Sequence, residues 1–327
     1  MGLAHWYLQA RLNQLSNFSI ILDQSHYMAL IASRFLPNFN VSDPSSEEIT
    51  RYKSPLPYSF VATVNDKSEN YCAVQELEAK YGFQYSSGVG MLIFLLNTAV
   101  VLHFAIQKLA KFNALPGEKH YKALIHLFHH IRTHRTKFGT KFYSPDAEPP
   151  IYARIKEHYP EFDFSMHPIL LFTDSSWQDC PDTSRSTGCY CIYVHGSLVD
   201  SASFVPSPIA MSSAEAEYNA AAFGLTAALH TKQVYNCFMH RHPDSPVTIA
   251  LFIDSACTIC MKNNNKDTKR TCHIECCIHF LSQARENGIF IPYKIPGELN
   301  PADLGTKNLS ESVIQNHLPM VHIPVNP

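Results

Sequence analysis

The alternation of hydrophobic and polar positions changes near residue 166, where short apolar runs separated by turns replace longer apolar stretches. C-terminal to this point, runs of Val, Ile, Leu, Phe and Tyr predict five strands, at 169–174, 188–194, 200–205, 248–254 and 290–295. The intervening patterns predict helices at 213–240, 255–263 and 272–287, with a short one near Pro301. Three strands joined by hairpins and then a helical crossover predict an α/β fold with a mixed sheet, in which the fourth strand is parallel to the first.

The N-terminal half has a less regular pattern, which predicts an α+β arrangement. Its predicted elements are strands at 5–14 and 18–23 and helices at 25–36, 88–112 and 117–134. The inward positions of the first helix are predicted to be Tyr27, Leu30, Ile31 and Phe35. Residues 58–84 show no pattern that assigns them a structure. Pro-rich segments mark the connections, and the expected division is a domain at 1–145, a linker at 146–165, a second domain at 166–312 and a tail at 313–327.

An Ala- and Leu-rich stretch at 211–229 predicts the helix around which the C-terminal domain is organised. Ser212, followed by Glu215 three residues later, predicts a capping box in which the Ser oxygen accepts a backbone N–H and the Glu carboxylate reaches back. Glu217 falls on the apolar stripe of this helix, and Glu215 does not. A carboxylate on a core-facing stripe is costly unless it is paired, protonated or bound to a cation. We therefore expect Glu217 to have a partner.

Three aspartates are the candidate partners of Glu217. Asp174 and Asp254 each end an apolar run, and Asp303 lies in the first turn of the helix predicted after Pro301. Each also has a purely structural interpretation, because Asp is a turn former at strand ends and suits the start of a helix. If the four carboxylates converge at one rim of the sheet, divalent cations must hold them, and Mg²⁺, with Mn²⁺ as a substitute, suits oxygen ligands. Two such ions about 4 Å apart are typical of phosphodiester hydrolysis.

Composition and charge describe a globular chain with one basic segment. The 327 residues are 46% hydrophobic and 17% charged, which fits one large or two ordinary domains. The net charge of −2 gives no overall basic field, but residues 108–141 concentrate Lys and Arg, with five His among them. This segment predicts a phosphate-binding patch or, as the alternative, a solvated helix face.

Cysteine usage and the N-terminus predict an intracellular protein, cytoplasmic or nuclear, because ten Cys lack a regular spacing and no secretory signal is seen. Residues 88–106 are apolar over a length that could span a membrane, but Asn97 and His103 within them favour a buried helix. Cys257 and Cys260 have a spacing that suits zinc, although small thiols filling a helix face are the simpler interpretation.

Six motifs between residues 173 and 307 together resemble the ribonuclease H domain of copia-type LTR retrotransposon Pol polyproteins. In chain order they are TDSSW, RSTGCY, MSSAEAEY, FIDSACTI, CHIE and NPADLGTK. The resemblance implies a ribonuclease H-like fold, with a mixed five-stranded sheet and flanking helices, and assigns Asp174, Glu217, Asp254 and Asp303 to metal binding and catalysis. The chain departs from the family at Ser176, where a second Asp is usual, and at Cys272, where Lys is usual.

The N-terminal half resembles, more weakly, the end of the reverse transcriptase in the same polyproteins. GLAHWYLQARL and YSSGVGMLIFLLNTAVVLHFAIQKLAKF carry this resemblance. It implies a remnant of the palm, thumb and connection regions without the polymerase aspartates, so we expect no polymerase activity. The Arg-Pro-Asp turn of the family is replaced by Ala99-Val100-Val101, which predicts the loss of a helix break.

The resemblance implies hydrolysis of the RNA strand of RNA–DNA hybrids through two divalent ions, leaving 3′-hydroxyl and 5′-phosphate ends. The expected partners are the hybrid and the rest of the polyprotein, with no membrane. The residues expected to contact nucleic acid are Ser175, Ser176, Ser213, Lys266, Lys269, Arg270, Lys119, Lys122, Arg132 and Arg135. The alternative is a non-catalytic remnant that binds hybrid or RNA, although all four acids are present in the chain.

Overall fold

The computed structural model describes residues 5–36, 44–240, 247–254 and 275–325. Contacts between residues divide the chain into two compact units: unit 1 is Met1–Ser144 with Lys307–Pro327, and unit 2 is Pro145–Thr306. Unit 1 therefore includes the C-terminal segment that was expected to form a tail. The helix predicted at 255–263 lies outside the described residues.

A mixed five-stranded sheet forms the centre of unit 2. Its strands are β5 Ile169–Ser176, β6 Thr187–Val194, β7 Ser197–Phe204, β8 Ile249–Ile253 and β9 Phe290–Lys294. The spatial order is β7-β6-β5-β8-β9, with β5, β6 and β7 antiparallel to one another and β8 and β9 parallel to β5. The mixed five-stranded sheet expected from the sequence is confirmed, and the parallel strands β5 and β8 are buried as their uninterrupted apolar runs predict.

Within the described residues, three α-helices accompany the sheet in unit 2. They are α7 Pro150–His158, α8 Ser213–Phe238 and α9 Glu275–Glu286. Leu225 and Ala228 of α8 belong to a buried apolar cluster that also contains side chains of β5, β6, β8 and β9. Helix α7 lies in the segment that was expected to be a linker, and its Ile151 and Ile155 are buried. It begins with Pro150 at its first position, where the missing N–H costs no helical hydrogen bond.

Unit 1 combines a small antiparallel sheet with helices. Its strands, in spatial order, are β1 Trp6–Tyr7, β2 Ala10–Gln14, β3 Ile20–Asp23 and β4 Thr140–Phe142. Its helices are α1 Ser25–Phe35, α2 Ser46–Arg51, α3 Tyr71–Tyr81, α4 Tyr85–Ile93, α5 His103–Ala110, α6 Glu118–His134 and a last one at Glu311–Val321. Short 3₁₀ turns occur at Val64–Asp66, Phe94–Asn97, Val100–Leu102 and Arg135–Lys137.

Four predictions for unit 1 are wrong. The strand expected at 5–14 is two strands, because Leu8 and Gln9 form a turn with φ of 44° and 61°. Leu30, expected to point inward from α1, is 47% exposed, and Met28 and Ala32 are buried instead.

The single helix expected at 88–112 is interrupted by two 3₁₀ turns between α4 and α5. Thus the segment keeps a helix break at Ala99-Val100-Val101, where its loss was expected. Among the described residues, no helix is both long and apolar enough to cross a membrane.

Candidate metal centre

Asp174 and Asp254 lie at the carboxyl ends of two neighbouring parallel strands. Thr173 of β5 pairs with Ile253 of β8, and each aspartate is the next residue along the chain. Parallel strands end at the same edge of a sheet, so both carboxylates come to that edge. Asp174 is 1% exposed, and Asp254 is half-buried.

Glu217 reaches the same edge from the first turns of α8. Ser212 caps this helix, since its hydroxyl accepts the N–H of Glu215 at 3.1 Å. The Glu215 carboxylate accepts the N–H of Met211 at 2.7 Å, one residue before the amide that a standard capping box uses. Glu217 is 7% exposed, as its place on the apolar stripe predicts, and Glu215 is buried as well, which the stripe did not predict.

Gly224 allows α8 to lie close to the strand that carries Asp174. A Cβ atom at this position would be 2.8 Å from Thr173 Cγ2, 3.1 Å from Tyr190 Cβ and 3.2 Å from Leu171 Cδ1. Gly224 follows Glu217 by seven residues, about two helical turns, and so lies on the same face. The absent side chain therefore sets the distance between Glu217 and β5.

One oxygen from each of Asp174, Glu217 and Asp254 lies within 4.8 Å of the others. At that separation, two ionised carboxylates repel each other by roughly 3 kcal/mol at an effective dielectric constant near 20. Three hard oxygen donors on buried or half-buried side chains are the donor set that Mg²⁺ or Mn²⁺ prefers, and a bound cation removes this repulsion. Within the described ranges, these three form the one group of His, Cys, Asp or Glu side chains that could hold an ion. Cys257 and Cys260, considered for zinc, lie outside them.

Asp303 lies beside this group and is not one of the three. It is in the 3₁₀ turn Pro301–Gly305, where it is 9% exposed. A Cβ atom at Gly297 would lie 3.9 Å from Oδ2 of Asp303 and 3.3 Å from Oδ2 of Asp254, so both oxygens lie near Gly297. Gly297 keeps side-chain atoms out of the space beside the two carboxylates.

Two side chains that sequence reasoning missed connect the Asp303 turn to β5. Asn300 donates from Nδ2 to the Thr173 carbonyl at 2.9 Å and accepts the Ala302 N–H at 3.2 Å. Thr306 donates its hydroxyl to Oδ2 of Asp174. Both residues lie within the NPADLGTK motif, but their partners are more than 120 residues away in the chain, so no local pattern indicates these contacts.

The three serines expected to contact nucleic acid are near the carboxylates in the chain. Ser175 and Ser176 follow Asp174 at the end of β5 and are half-buried. Ser213 is the first residue of α8 and is exposed. Lys266, Lys269 and Arg270, expected to grip phosphates, lie outside the described residues.

The four cations that were expected to bind nucleic acid, on α6 and at the start of the 3₁₀ turn after it, have acidic or carbonyl partners within unit 1. Lys119 pairs with Asp66 at 3.1 Å, and Lys122 pairs with Glu118 at 3.0 Å. Arg132 contacts Glu48, and its side chain is only 11% exposed. Arg135 donates to the Arg132 carbonyl at 3.0 Å. Their expected role in binding nucleic acid stays a prediction.

The histidines of α6 do not add positive charge at neutral pH, contrary to what the sequence suggested. Burial lowers the pKa of His120 and of His134 to about 4. Burial also lowers the pKa of His126 and His129, and brings that of His130 well below its usual value. The basic character of this helix therefore comes from Lys and Arg alone.

Comparison with known proteins finds similarity only among solved structures: no family model matches the sequence, and no curated protein matches it. The N-terminal RNase H domain of a Mycobacterium tuberculosis protein, solved as a fusion with maltose-binding protein, is 13% identical. That match covers 45% of this chain and 96% of that domain, with a TM-score of 0.33. LC11-RNase H1, isolated from compost by a metagenomic approach, is 18% identical over 43% of this chain and 93% of that one, with a TM-score of 0.32. Its complex with RNA/DNA hybrid matches at 15% identity over 42% and 93%, with a TM-score of 0.32. At these identities and scores the likenesses carry no inference about activity.

Proposed function

We propose that unit 2 is a divalent-metal-dependent nuclease of the ribonuclease H type, which hydrolyses the RNA strand of RNA–DNA hybrids. The observation that carries this proposal is the convergence of Asp174, Glu217 and Asp254, with one oxygen from each within 4.8 Å of the others, at the rim of a mixed sheet. Asp303 adds a fourth carboxylate next to Asp254. Several carboxylates at one place suit a pair of divalent ions better than a single one.

The four carboxylates would hold the cations, and bound divalent ions would supply activation of water and stabilisation of the leaving oxygen for phosphodiester hydrolysis. The protein itself contributes by fixing the positions of these carboxylates. Asp174 and Asp254 are held by paired strands, Glu217 by a helix that packs closely on β5, and Asp303 by a turn bonded to β5. Carboxylates fixed in this way need no rearrangement when substrate binds.

Recognition of RNA is proposed to involve hydroxyl groups beside the metal centre. RNA differs from DNA by its 2′-hydroxyl, which is displayed in the wide and shallow minor groove of an A-form helix. Ser175, Ser176 and Ser213 offer donors and acceptors near the carboxylates and carry no charge. Such groups contact sugars and backbone without selecting a sequence.

We further propose that the chain derives from a copia-type retrotransposon polyprotein. The order of the six motifs between residues 173 and 307 supports this origin. The N-terminal half is proposed to derive from the reverse transcriptase of the same polyproteins, on the weaker resemblance carried by GLAHWYLQARL and YSSGVGMLIFLLNTAVVLHFAIQKLAKF.

The test is cleavage of a hybrid labelled on its RNA strand, with Mg²⁺ or Mn²⁺, by the whole chain and by Asp174→Asn and Glu217→Gln. Asp200→Asn is the matched control, because Asp200 is an exposed acid on β7 of the same sheet, bonded to Tyr190. We expect cleavage by the unmodified chain and by Asp200→Asn, and loss of cleavage in the other two. Folded protein that binds hybrid without cutting it would support a non-catalytic binding remnant and refute the nuclease.

A further inference from the structure

Thr306 is a buried side chain whose hydroxyl donates to a carboxylate of the metal centre. Its partner is Oδ2 of Asp174, and the two residues are 0% and 1% exposed. A hydrogen bond to a buried charge is among the stronger ones in proteins. We infer that Thr306 is a positioning residue that fixes the orientation of the Asp174 carboxylate for metal binding.

Thr306 also joins Asp174 to the turn that carries the fourth acid. Its backbone N–H donates to the Asp303 carbonyl at 3.2 Å, so the residue that restrains Asp174 is bonded to the backbone of Asp303. One threonine therefore links two of the proposed ligands, which come from distant parts of the chain. Rotation of the Asp174 carboxylate away from its neighbours would break the Thr306 bond.

The Thr306 hydroxyl also lies 3.3 Å from the Asp303 carbonyl, but the turn has further bonds that do not involve this hydroxyl. Ser203 donates to the Gly305 carbonyl at 2.6 Å, and a Cβ at Gly305 would lie 2.3 Å from Cys189 Sγ, so this backbone lies against β6. Asn300 bonds the other side of the turn to the Thr173 carbonyl. Removal of the hydroxyl alone should thus leave the turn in place and remove one restraint on the carboxylate of Asp174.

This inference rests on the proposed function only in that Asp174 binds metal, so it can be tested without substrate. Groups that orient a metal ligand typically account for about 10- to 100-fold in metal affinity. We expect Thr306→Val, which keeps the shape of the side chain and deletes the hydroxyl, to weaken Mn²⁺ binding by that factor. Thr306→Ser restores the donor and should restore affinity.

The experiment measures Mn²⁺ affinity of the whole chain by electron paramagnetic resonance of the free ion, with Asp174→Asn defining the signal that belongs to the site. Thr231→Val is the matched control, because Thr231 on α8 donates its hydroxyl to the Ala227 carbonyl, fourteen residues along the helix from Glu217. Thermal unfolding without metal checks that each variant is folded.

Weaker binding in Thr306→Val, with recovery in Thr306→Ser and no change in Thr231→Val, supports the inference whether or not the chain cleaves hybrid. Equal affinity in Thr306→Val and the unmodified chain overturns it while leaving the proposed nuclease intact. Absence of any Asp174-dependent Mn²⁺ binding overturns both.

Discussion

Replacement of Gly224 by Ala tests whether the position of α8 matters for catalysis, apart from any change in the stability of the protein. Helix propensity favours Ala over Gly by about 1 kcal/mol. Against this, the new Cβ would be 2.8 Å from Thr173 Cγ2 and 3.2 Å from Leu171 Cδ1, whereas carbon atoms normally pack at about 3.5–4.0 Å. Overpacking of this kind costs about 1–3 kcal/mol. The net loss in the free energy of unfolding is therefore between about 0 and 2 kcal/mol.

The same substitution should affect catalysis much more than stability. To relieve the contact with Thr173, α8 must move from β5 by roughly 1 Å, the difference between the contact it would make and an ordinary one. Glu217 lies two turns from Gly224 and moves with the helix. A displacement of about 1 Å in a group that positions the reaction costs on the order of 100-fold in rate.

The assay combines kcat/KM for hybrid cleavage with urea unfolding. Gly90→Ala in α4 is the control, because a Cβ at Gly90 meets nothing within 4 Å and the change should stabilise unit 1 by about 0.5–1 kcal/mol. If Gly224→Ala cleaves hybrid as fast as the unmodified chain, close packing of α8 does not position Glu217. If activity falls only in proportion to the fraction unfolded, the effect is one of stability and the reasoning is refuted.

Three further predictions concern stabilisation by Mg²⁺, the bonds that Asn300 makes to the turn that carries Asp303, and the pH dependence of stability. Saturating Mg²⁺, at about 100 times its Kd, should raise the free energy of unfolding of unit 2 by about 2.7 kcal/mol, and Asp174→Asn should abolish this; an equal effect in both would place the ion elsewhere. Asn300→Ala leaves two buried backbone groups without their bonds and should cost about 2–4 kcal/mol in urea unfolding, so a loss below the error of the measurement contradicts its structural role. Burial lowers the pKa of His103 and His134 to about 4 and of His322 to about 3. The folded pKa lies below the unfolded value near 6.5, so these groups contribute stability above pH 6.5 that is lost as pH falls towards 4. At pH 5 each should destabilise unit 1 by roughly 1–2 kcal/mol relative to pH 7.5, and urea midpoints independent of pH in this range would show that they are accessible to protons when folded.

The sheet of unit 2 could be predicted because its signal is local. A parallel strand buried on both faces is an unbroken apolar run, and the acid that ends the run marks the rim, as at Asp174 and Asp254. Glu217 was also identified from a local signal, because it falls on the apolar stripe of a predicted helix. The burial of Glu215 was missed because its carboxylate accepts the N–H of Met211, which lies in the turn before the helix. The helical pattern alone does not predict the conformation of that turn.

The helix break in unit 1 could not be predicted because tertiary contacts stabilise it. His103 bonds the Leu96 carbonyl at 2.8 Å, and Thr140 donates to the Thr98 carbonyl at 3.1 Å. These side chains satisfy backbone groups that a continuous helix would have used itself. An apolar run gives no sign of them, since Thr140 is some forty residues away.

Helix α3 was missed for a different reason. It has one buried residue, Val74, so its stripe is too narrow to stand out from the surrounding sequence. Its boundaries are nevertheless standard, with Asn70 accepting the Ala73 N–H at the start and Gly82 in a left-handed conformation at the end.

The measurement that tests the central claim most directly is the chemistry of the product ends. A hybrid with labelled RNA is incubated with Mg²⁺ and either the unmodified chain or Asp174→Asn, and the fragments are examined for their termini. Hydrolysis at the proposed centre predicts 3′-hydroxyl and 5′-phosphate ends, produced by the unmodified chain alone. Ends carrying a 2′,3′-cyclic phosphate, or cleavage that persists in Asp174→Asn, would contradict it, because the 2′-hydroxyl or another site would then be performing the attack.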